Sequence, residues 1–153
     1  VLAKHLGNPE GAIGKAVTAS LNKANAGSYS AALSKLGVNA HDRVIEIGFG
    51  NGREIPRIIT QALDVTYFGL DVSETMVAEA SEFNAEAVRA SRVTIAHGVS
   101  TAIPVDAGAF DKALAMNTIY FWSNPVADLR ELRRVLKQDG RLVLGSLSPS
   151  SAI

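Results

Sequence analysis

The chain has 153 residues, enough for one domain whose core buries roughly two thirds of the surface of the unfolded chain. Apolar residues make up 47 % and charged residues 20 %, a composition that excludes a disordered chain. Fifteen basic residues balance fifteen acidic ones, so the net charge gives no reason to expect nucleic acid or an anionic membrane as a partner.

Cysteine is absent, which excludes a disulfide framework, a thiolate metal site and a cysteine nucleophile. No stretch approaches the ~18 apolar residues that a membrane helix needs, and the first residues lack the order of a secretory signal. We therefore expect a cytoplasmic protein with no membrane partner and no bound metal.

The organisation changes near residue 39. Residues 1–38 have apolar positions near helical spacing, which predicts an N-terminal helical segment of two helices that break near Gly27. From there to residue 153, short apolar runs alternate with amphipathic helices, as is typical of βαβ units. We expect residues 39–153 to form an α/β core with a doubly wound, mostly parallel sheet.

Five strands and three crossover helices are predicted in this core. Pro56 falls in the first turn of one helix, where its missing N–H is tolerated, Ser73 is a candidate N-cap, and Gly140 comes just beyond the last helix. The predicted strands are Val44–Ile47, Val65–Leu70, Val93–Ala96, Phe110–Met116 and Arg141–Leu147. The predicted helices are Arg53–Ala62, Ser73–Ala90 and Pro125–Lys137.

A glycine-rich loop, residues 46–52 (EIGFGNG), follows the first predicted strand. Gly48 and Gly50 leave room for a ligand at the backbone, and Gly52 lets a helix pack closely, although many such turns contain glycine for steric reasons alone. The dinucleotide fingerprint G-x-G-x-x-G requires glycine at position 53, where this chain has Arg53. A nicotinamide-dependent oxidoreductase is therefore disfavoured.

The run from Val44 to Gly52 resembles motif I of the class I S-adenosylmethionine-dependent methyltransferases, an acid followed by three alternating glycines. The resemblance covers about residues 40–147 and implies a Rossmann-like fold. It implies Glu46 as a polar anchor near the amino-acid end of the cofactor, although a solvent-facing or helix-capping carboxylate is an alternative. The loop residues that it implies as cofactor contacts are Gly48, Phe49, Gly50 and Gly52.

A second acid, Asp71, ends the next predicted strand. It lies 71 − 48 = 23 residues after Gly48, close to the ~20 expected for a carboxylate that accepts from two ribose hydroxyls. Capping of the following helix is the alternative. The same resemblance implies cofactor contacts at Val72 and at Met76, whose side chain would cover the adenine; core packing explains Met76 equally well.

The turn after the third predicted strand reads His97-Gly98-Val99-Ser100, and Gly98, Val99 and Ser100 are implied as contacts of the adenine. The chain departs from the family here, because Val99 stands where an acid commonly accepts from the adenine amino group. That hydrogen bond must come from Ser100, a backbone carbonyl or water.

The end of the fourth predicted strand, Asn117 to Trp122, lies where ligands bind in open α/β folds, and we expect Asn117 to contact the cofactor. Tyr120 and Trp122 line an acceptor pocket or, alternatively, close the core. Methyl transfer depends mainly on alignment, so a catalytic residue need not be recognisable. The candidates are Tyr120 and His97, and a histidine without a catalytic role is the alternative for the latter.

The sequence thus predicts a methyltransferase that moves a methyl group from S-adenosyl-L-methionine to a small-molecule acceptor and releases S-adenosyl-L-homocysteine. A non-catalytic S-adenosylmethionine- or nucleotide-binding module is the alternative. Family members usually continue to a seven-stranded order 3-2-1-4-5-7-6, whereas this chain stops after the fifth strand. We expect a truncated chain, or a homo-oligomer that covers the apolar edge Leu142-Val143-Leu144.

Overall fold

The computed structural model describes residues 27–146, which form a five-stranded parallel sheet in the order β3-β2-β1-β4-β5. This confirms the predicted parallel α/β architecture. The strands are β1 (Arg43–Ile47), β2 (Thr66–Asp71), β3 (Val93–His97), β4 (Phe110–Met116) and β5 (Leu136–Gly145). The helices are α1 (residues 27–36), α2 (Ile55–Ile59), α3 (Glu74–Phe83), α4 (Ala85–Arg89) and α5 (Pro125–Val135), with a 3-10 turn at Ile119–Phe121.

The junction between α5 and β5 differs from the prediction. The helix ends at Val135, and Leu136 already pairs with Phe110 before the register shifts. Gly140 belongs to β5, where an added Cβ would lie 2.9 Å from Leu136 Cδ2. The prediction that the helix runs to Lys137, with the strand starting at Arg141, was therefore wrong.

The predicted helix from Ser73 to Ala90 is in fact two helices, because Asn84 interrupts it. The Asn84 side-chain amide donates to Ala80 O at 2.9 Å and to Gly52 O at 3.0 Å, so it joins the end of α3 to the glycine loop. The start of the helix agrees with the prediction, since Ser73 Oγ accepts from Met76 N. The helix after β1 is shorter than predicted and covers only Ile55–Ile59.

The hydrophobic core has two layers, one on each face of the sheet. Alternation along β1 directs Val44 into the layer covered by α1, α2 and α3, and Ile45 and Ile47 into the layer covered by α5. Helix α1 belongs to the first layer through Tyr29, Ala32, Leu33 and Leu36. The predicted N-terminal segment thus joins the core from residue 27; the helix predicted before Gly27 lies outside the described residues.

Strand β5 forms one edge of the sheet in the described part of the chain, and Leu144 on it is partly exposed. Pairing of this edge with a second copy stays a prediction. Between residues 27 and 146, no helix has the length and apolar character needed to cross a membrane. The same residues contain no group of three or more His, Asp and Glu side chains arranged to hold a metal ion.

Candidate cofactor-binding site

The glycine-rich loop leaves the carboxyl end of β1 in a left-handed conformation. Gly48, Gly50 and Gly52 have φ angles of 75°, 63° and 76°, values that favour glycine. A Cβ on Gly48 would lie 2.1 Å from Thr118 Cγ2, and one on Gly52 would lie 2.5 Å from Ala80 Cβ. The loop is therefore pressed between the end of β4 and helix α3, a packing requirement that adds to any need for ligand access.

Asp71 is hydrogen-bonded to this loop. Its Oδ2 accepts from Gly50 N at 3.1 Å and its Oδ1 from Ser73 N at 2.9 Å, and the side chain is buried. Burial raises the pKa of Asp71, while the bonds from Ser73 and Gly50 oppose that rise. The two motifs that the sequence placed in register thus meet at adjacent strand ends, and the bond to Ser73 also anchors the start of α3.

Glu46 is a buried carboxylate held by two phenols. Tyr29 donates to Oε1 at 2.9 Å and Tyr67 donates to Oε2 at 2.7 Å, and only 2 % of Glu46 is exposed. Both alternatives, a solvent-facing and a helix-capping side chain, are excluded. Burial raises the pKa of Glu46 to about 7, while the hydrogen bonds from Tyr67 and Tyr29 oppose that rise. Such a carboxylate is suited to receive a cationic group, which would stabilise its ionised form.

Sequence reasoning missed both tyrosines. Tyr67 and Asp71 are four residues apart on β2 and therefore share a face, and Glu46 is in register with Gly69 between them. That periodicity is a usable signal for Tyr67. Tyr29 comes from α1, and its distance in sequence from β1 left no local pattern to reveal it.

Two polar atoms at the end of β4 are buried without a hydrogen-bond partner in the described structure. They are Asn117 Oδ1 and Thr118 Oγ1, and Asn117 adopts a left-handed φ of 56°. Buried polar groups are normally satisfied, so atoms of this kind beside a loop indicate a place where a polar ligand binds. Asn117 was predicted at this site, whereas Thr118 was not; its position directly after Asn117 at a strand end was the available signal.

The ends of β2 and β3 form a more apolar part of the same sheet edge. Val72 is 41 % and Val99 is 51 % exposed, and Gly98 N donates to Asp71 O at 3.0 Å. Ser100 Oγ donates to Asp128 Oδ1, so helix α5 also reaches this turn. The predicted residues Val72, Gly98, Val99 and Ser100 are thereby brought together beside Asp71.

Two of the predicted contacts are core side chains. Met76 is completely buried among core residues, which agrees with the packing alternative and leaves no exposed side chain to cover an adenine. The ring of Phe49, a residue of the glycine loop, is buried against β2. A Cβ on Gly69 of that strand would lie 2.6 Å from Phe49 Cδ2. For a ligand in the cleft, Phe49 offers its backbone.

The two candidate catalytic residues are not brought together. His97 ends β3, where its Nε2 lies 3.0 Å from Val72 O, and Tyr120 follows β4, with β2 and β1 in between. Tyr120 is exposed and stands edge-on to Phe121, with ring centroids 6.3 Å apart. Trp122 packs against the core layer beneath α5, so of the two aromatic candidates only Tyr120 faces an open surface.

A comparison with protein families agrees with this geometry: a family model described as a methyltransferase domain matches residues 45–144. The chain belongs to the class I S-adenosylmethionine-dependent methyltransferases. The matched range contains the glycine loop, Asp71, Asn117 and helix α5.

Among curated relatives of this methyltransferase chain, the uncharacterized methyltransferase YdaC of Bacillus subtilis is 28 % identical over 78 % of this chain and 64 % of its own length. The 27-O-demethylrifamycin SV methyltransferase of Amycolatopsis mediterranei is 33 % identical over 76 % of this chain and 43 % of its own. The solved structure of YcgJ from Bacillus subtilis superposes with a TM-score of 0.69 at 28 % identity, covering 78 % of this chain and 50 % of that protein. The chain thus spans between 43 % and 64 % of the length of these relatives.

The family implies S-adenosylmethionine as the cofactor, and the residues present fit it. The buried, unpartnered oxygens of Asn117 and Thr118 and the carboxylate of Glu46 are acceptors for a cationic amino acid. Asp71 is an acceptor for hydroxyls, and Val72 and Val99 offer apolar surface to a flat base. In chemistry, these groups suit the amino-acid, ribose and base parts of the cofactor.

Proposed function

We propose that this chain binds S-adenosyl-L-methionine at the carboxyl edge of its sheet and transfers the methyl group to a small-molecule acceptor, with S-adenosyl-L-homocysteine as the product. The observation that carries the proposal is the direct hydrogen bond from Gly50 N to Asp71 Oδ2. It joins the motif I loop to the acid of the neighbouring strand, which supports a single binding site that uses both motifs.

The cofactor supplies an electrophilic methyl group on a sulfonium, and the protein has to orient it. We assign the amino-acid end to Glu46, Asn117 and Thr118, whose acceptor atoms lie at the ends of β1 and β4. We assign the ribose to Asp71. Alignment of this kind supplies about 7 to 11 kcal/mol to a bimolecular reaction, so a general base is optional.

For the acceptor, we propose a small and mostly apolar molecule that binds beside the end of β4. The segment from the 3-10 turn into α5 carries several exposed apolar side chains, and aromatic surfaces with a polar tip suit such a ligand. They are Tyr120, Phe121, Val126 and Leu129. The relative from Amycolatopsis mediterranei is named for an acceptor of small-molecule class, which supports the same assignment.

Calorimetric titration of the full chain with S-adenosylmethionine and S-adenosylhomocysteine tests the cofactor assignment. We expect saturable binding of both, and tighter binding than NAD in a parallel titration. Absence of binding to the folded protein contradicts the proposal, and stronger binding of NAD supports the oxidoreductase that Arg53 disfavours.

Turnover distinguishes an enzyme from a binding module. We expect label from methyl-labelled S-adenosylmethionine to reach at least one compound in a panel of small apolar acceptors. Binding of the cofactor without transfer to any acceptor in the panel favours the module.

A further inference from the structure

Helix α5 contacts the segment after β3 through three charged side chains. Glu131 Oε2 accepts from Ile103 N at 2.8 Å and Arg134 donates to Ile103 O at 2.8 Å, so these two residues hold the backbone of the segment. The third contact is different in kind. Asp128 accepts from a side-chain hydroxyl, that of Ser100, and it is only 2 % exposed. Asp128 lies in the first turn of α5, where the helix dipole favours its negative charge, and from there it accepts from the Ser100 hydroxyl.

We propose that Ser100 is the residue that selects the amino group of adenine, and that Asp128 is a positioning residue that orients the Ser100 hydroxyl. The inference rests on the proposed function and adds the specificity determinant of the same site. A hydroxyl has one proton and two lone pairs. Because the proton of Ser100 is directed at Asp128, only lone pairs remain for a ligand, and Ser100 acts as an acceptor.

The place of Ser100 in the cleft supports this role. It lies in the turn at the carboxyl end of β3, next to the exposed side chain of Val99. Val72, also exposed, directly follows Asp71, the last residue of the neighbouring strand β2. The two valines offer apolar walls to a flat ring, but neither has a polar side chain. Ser100 therefore supplies a side-chain acceptor beside the two valines, and its bond to Asp128 distinguishes it from the exposed hydroxyl of Thr101.

The chemistry of the base decides what such an acceptor recognises. Adenine presents an amino group that donates, whereas hypoxanthine presents an oxo group at the same position that accepts. An acceptor-only Ser100 binds the first and repels the second. If Asp128 is replaced by Asn, whose amide can donate to Ser100, the hydroxyl is free to turn its proton toward an oxo group.

The test compares S-adenosylhomocysteine with S-inosylhomocysteine by calorimetric titration of the full chain. We expect the wild-type protein to prefer the adenine ligand by about tenfold to a hundredfold, the range for one hydrogen bond to a charge-assisted group. In Asp128→Asn and in Ser100→Ala the preference falls to about threefold or less. The matched controls Asp139→Asn and Thr101→Ala, both at exposed positions, keep the wild-type ratio.

A ratio measured on one protein sample does not depend on the fraction that is folded, and Ser100→Ala carries the test where Asp128→Asn fails to fold. Adding Val99→Asp to Ser100→Ala restores an acceptor at the neighbouring position, and we expect it to recover the preference. An unchanged ratio in both single variants, or equal binding of the two ligands by the wild type, overturns this inference alone. Failure of the wild type to bind S-adenosylhomocysteine overturns the proposed function together with it.

Discussion

Tyr67 donates its phenolic proton to Glu46 Oε2 at 2.7 Å, and both side chains are removed from solvent. With Tyr29 on the other carboxylate oxygen, Glu46 has two neutral donors and a pKa raised to about 7 by burial. Burial also raises the pKa of each tyrosine, so both phenols stay protonated and continue to donate. This cluster makes the stability of the protein and its affinity for a cation depend on pH.

The first prediction concerns stability. The pKa of Glu46 rises from 4.5 in the unfolded chain to about 7 in the folded one, so the folded state binds more protons between these values. The protonated Glu46 therefore contributes its full stabilisation below pH 4.5. This contribution is lost as the pH rises to about 7, which lowers the unfolding free energy by roughly 3 kcal/mol, and it does not change further above that pH. Urea unfolding between pH 4.5 and 8 measures it. In Glu46→Gln, the unfolding free energy should fall less over this pH range, by that amount. An equal fall in wild type and variant would contradict the assignment.

The second prediction concerns the same carboxylate and the ligand. An ammonium group near Glu46 favours its ionised form, so binding of S-adenosylhomocysteine should release a proton below pH 7. Calorimetry in two buffers of different ionisation enthalpy counts that proton. Wild type should release a fraction of a proton at pH 6.5, where the ligand's amino group is fully protonated, while Glu46→Gln should release none.

The third prediction separates the clash at Gly48 from its backbone conformation. Gly48→Ala adds a Cβ 2.1 Å from Thr118 Cγ2 at a φ of 75°, whereas Gly108→Ala adds one in open space at a φ of 65°. The left-handed backbone should lower the unfolding free energy of both variants by about 1 to 2 kcal/mol. Overpacking should lower that of Gly48→Ala by about another 1 to 3 kcal/mol. Urea unfolding measures both. Adding Thr118→Ser, which removes Cγ2, should bring Gly48→Ala close to Gly108→Ala; equal losses in the two single variants would argue against the clash.

The fourth prediction uses the unpartnered hydroxyl of Thr118. Thr118→Val keeps the shape but removes Oγ1, which lacks a partner among the described residues. Loss of a buried unsatisfied group should leave the free protein equally stable or about 1 kcal/mol more stable, while affinity for S-adenosylhomocysteine falls about tenfold. Thr118→Ser, which retains the hydroxyl, is the control for affinity. A fall in stability with no change in affinity would show that the hydroxyl serves the fold instead.

The fifth prediction concerns Asp71, which joins the glycine loop to α3. Asp71→Asn keeps one acceptor oxygen and loses the other, so one of the N–H groups of Gly50 and Ser73 is left without its partner. We expect a loss of about 1 to 3 kcal/mol in unfolding free energy and at least about a tenfold loss in affinity for S-adenosylhomocysteine. Asp64→Asn, at an exposed carboxylate that pairs only with His41, should change neither. Retention of wild-type affinity in Asp71→Asn would remove Asp71 from the binding site.

Much of this fold was predictable because its determinants are local. Short apolar runs bounded by turn residues mark strands such as Phe110–Met116, which the structure reproduces residue for residue. Turn chemistry marks Ser73 as the cap of α3. The errors fall where a tertiary contact overrides a local pattern. Asn84 ends α3 early by bonding to Gly52 O, and pairing of Leu136 with Phe110 begins β5 inside the stretch predicted as helix.

The sequence by itself determined the glycine loop, the acid at the end of the next strand and the membership in the methyltransferase family, since each is a short pattern with a fixed spacing. Only the tertiary structure decided what those residues touch. It placed Tyr29 and Tyr67 on Glu46, moved Met76 into the core and joined Ser100 to Asp128 across 28 residues. Such contacts depend on how distant helices and strands align. The spacing along β2 is a signal for Tyr67, but the contacts made by Tyr29 and Asp128 leave no periodic trace along the chain.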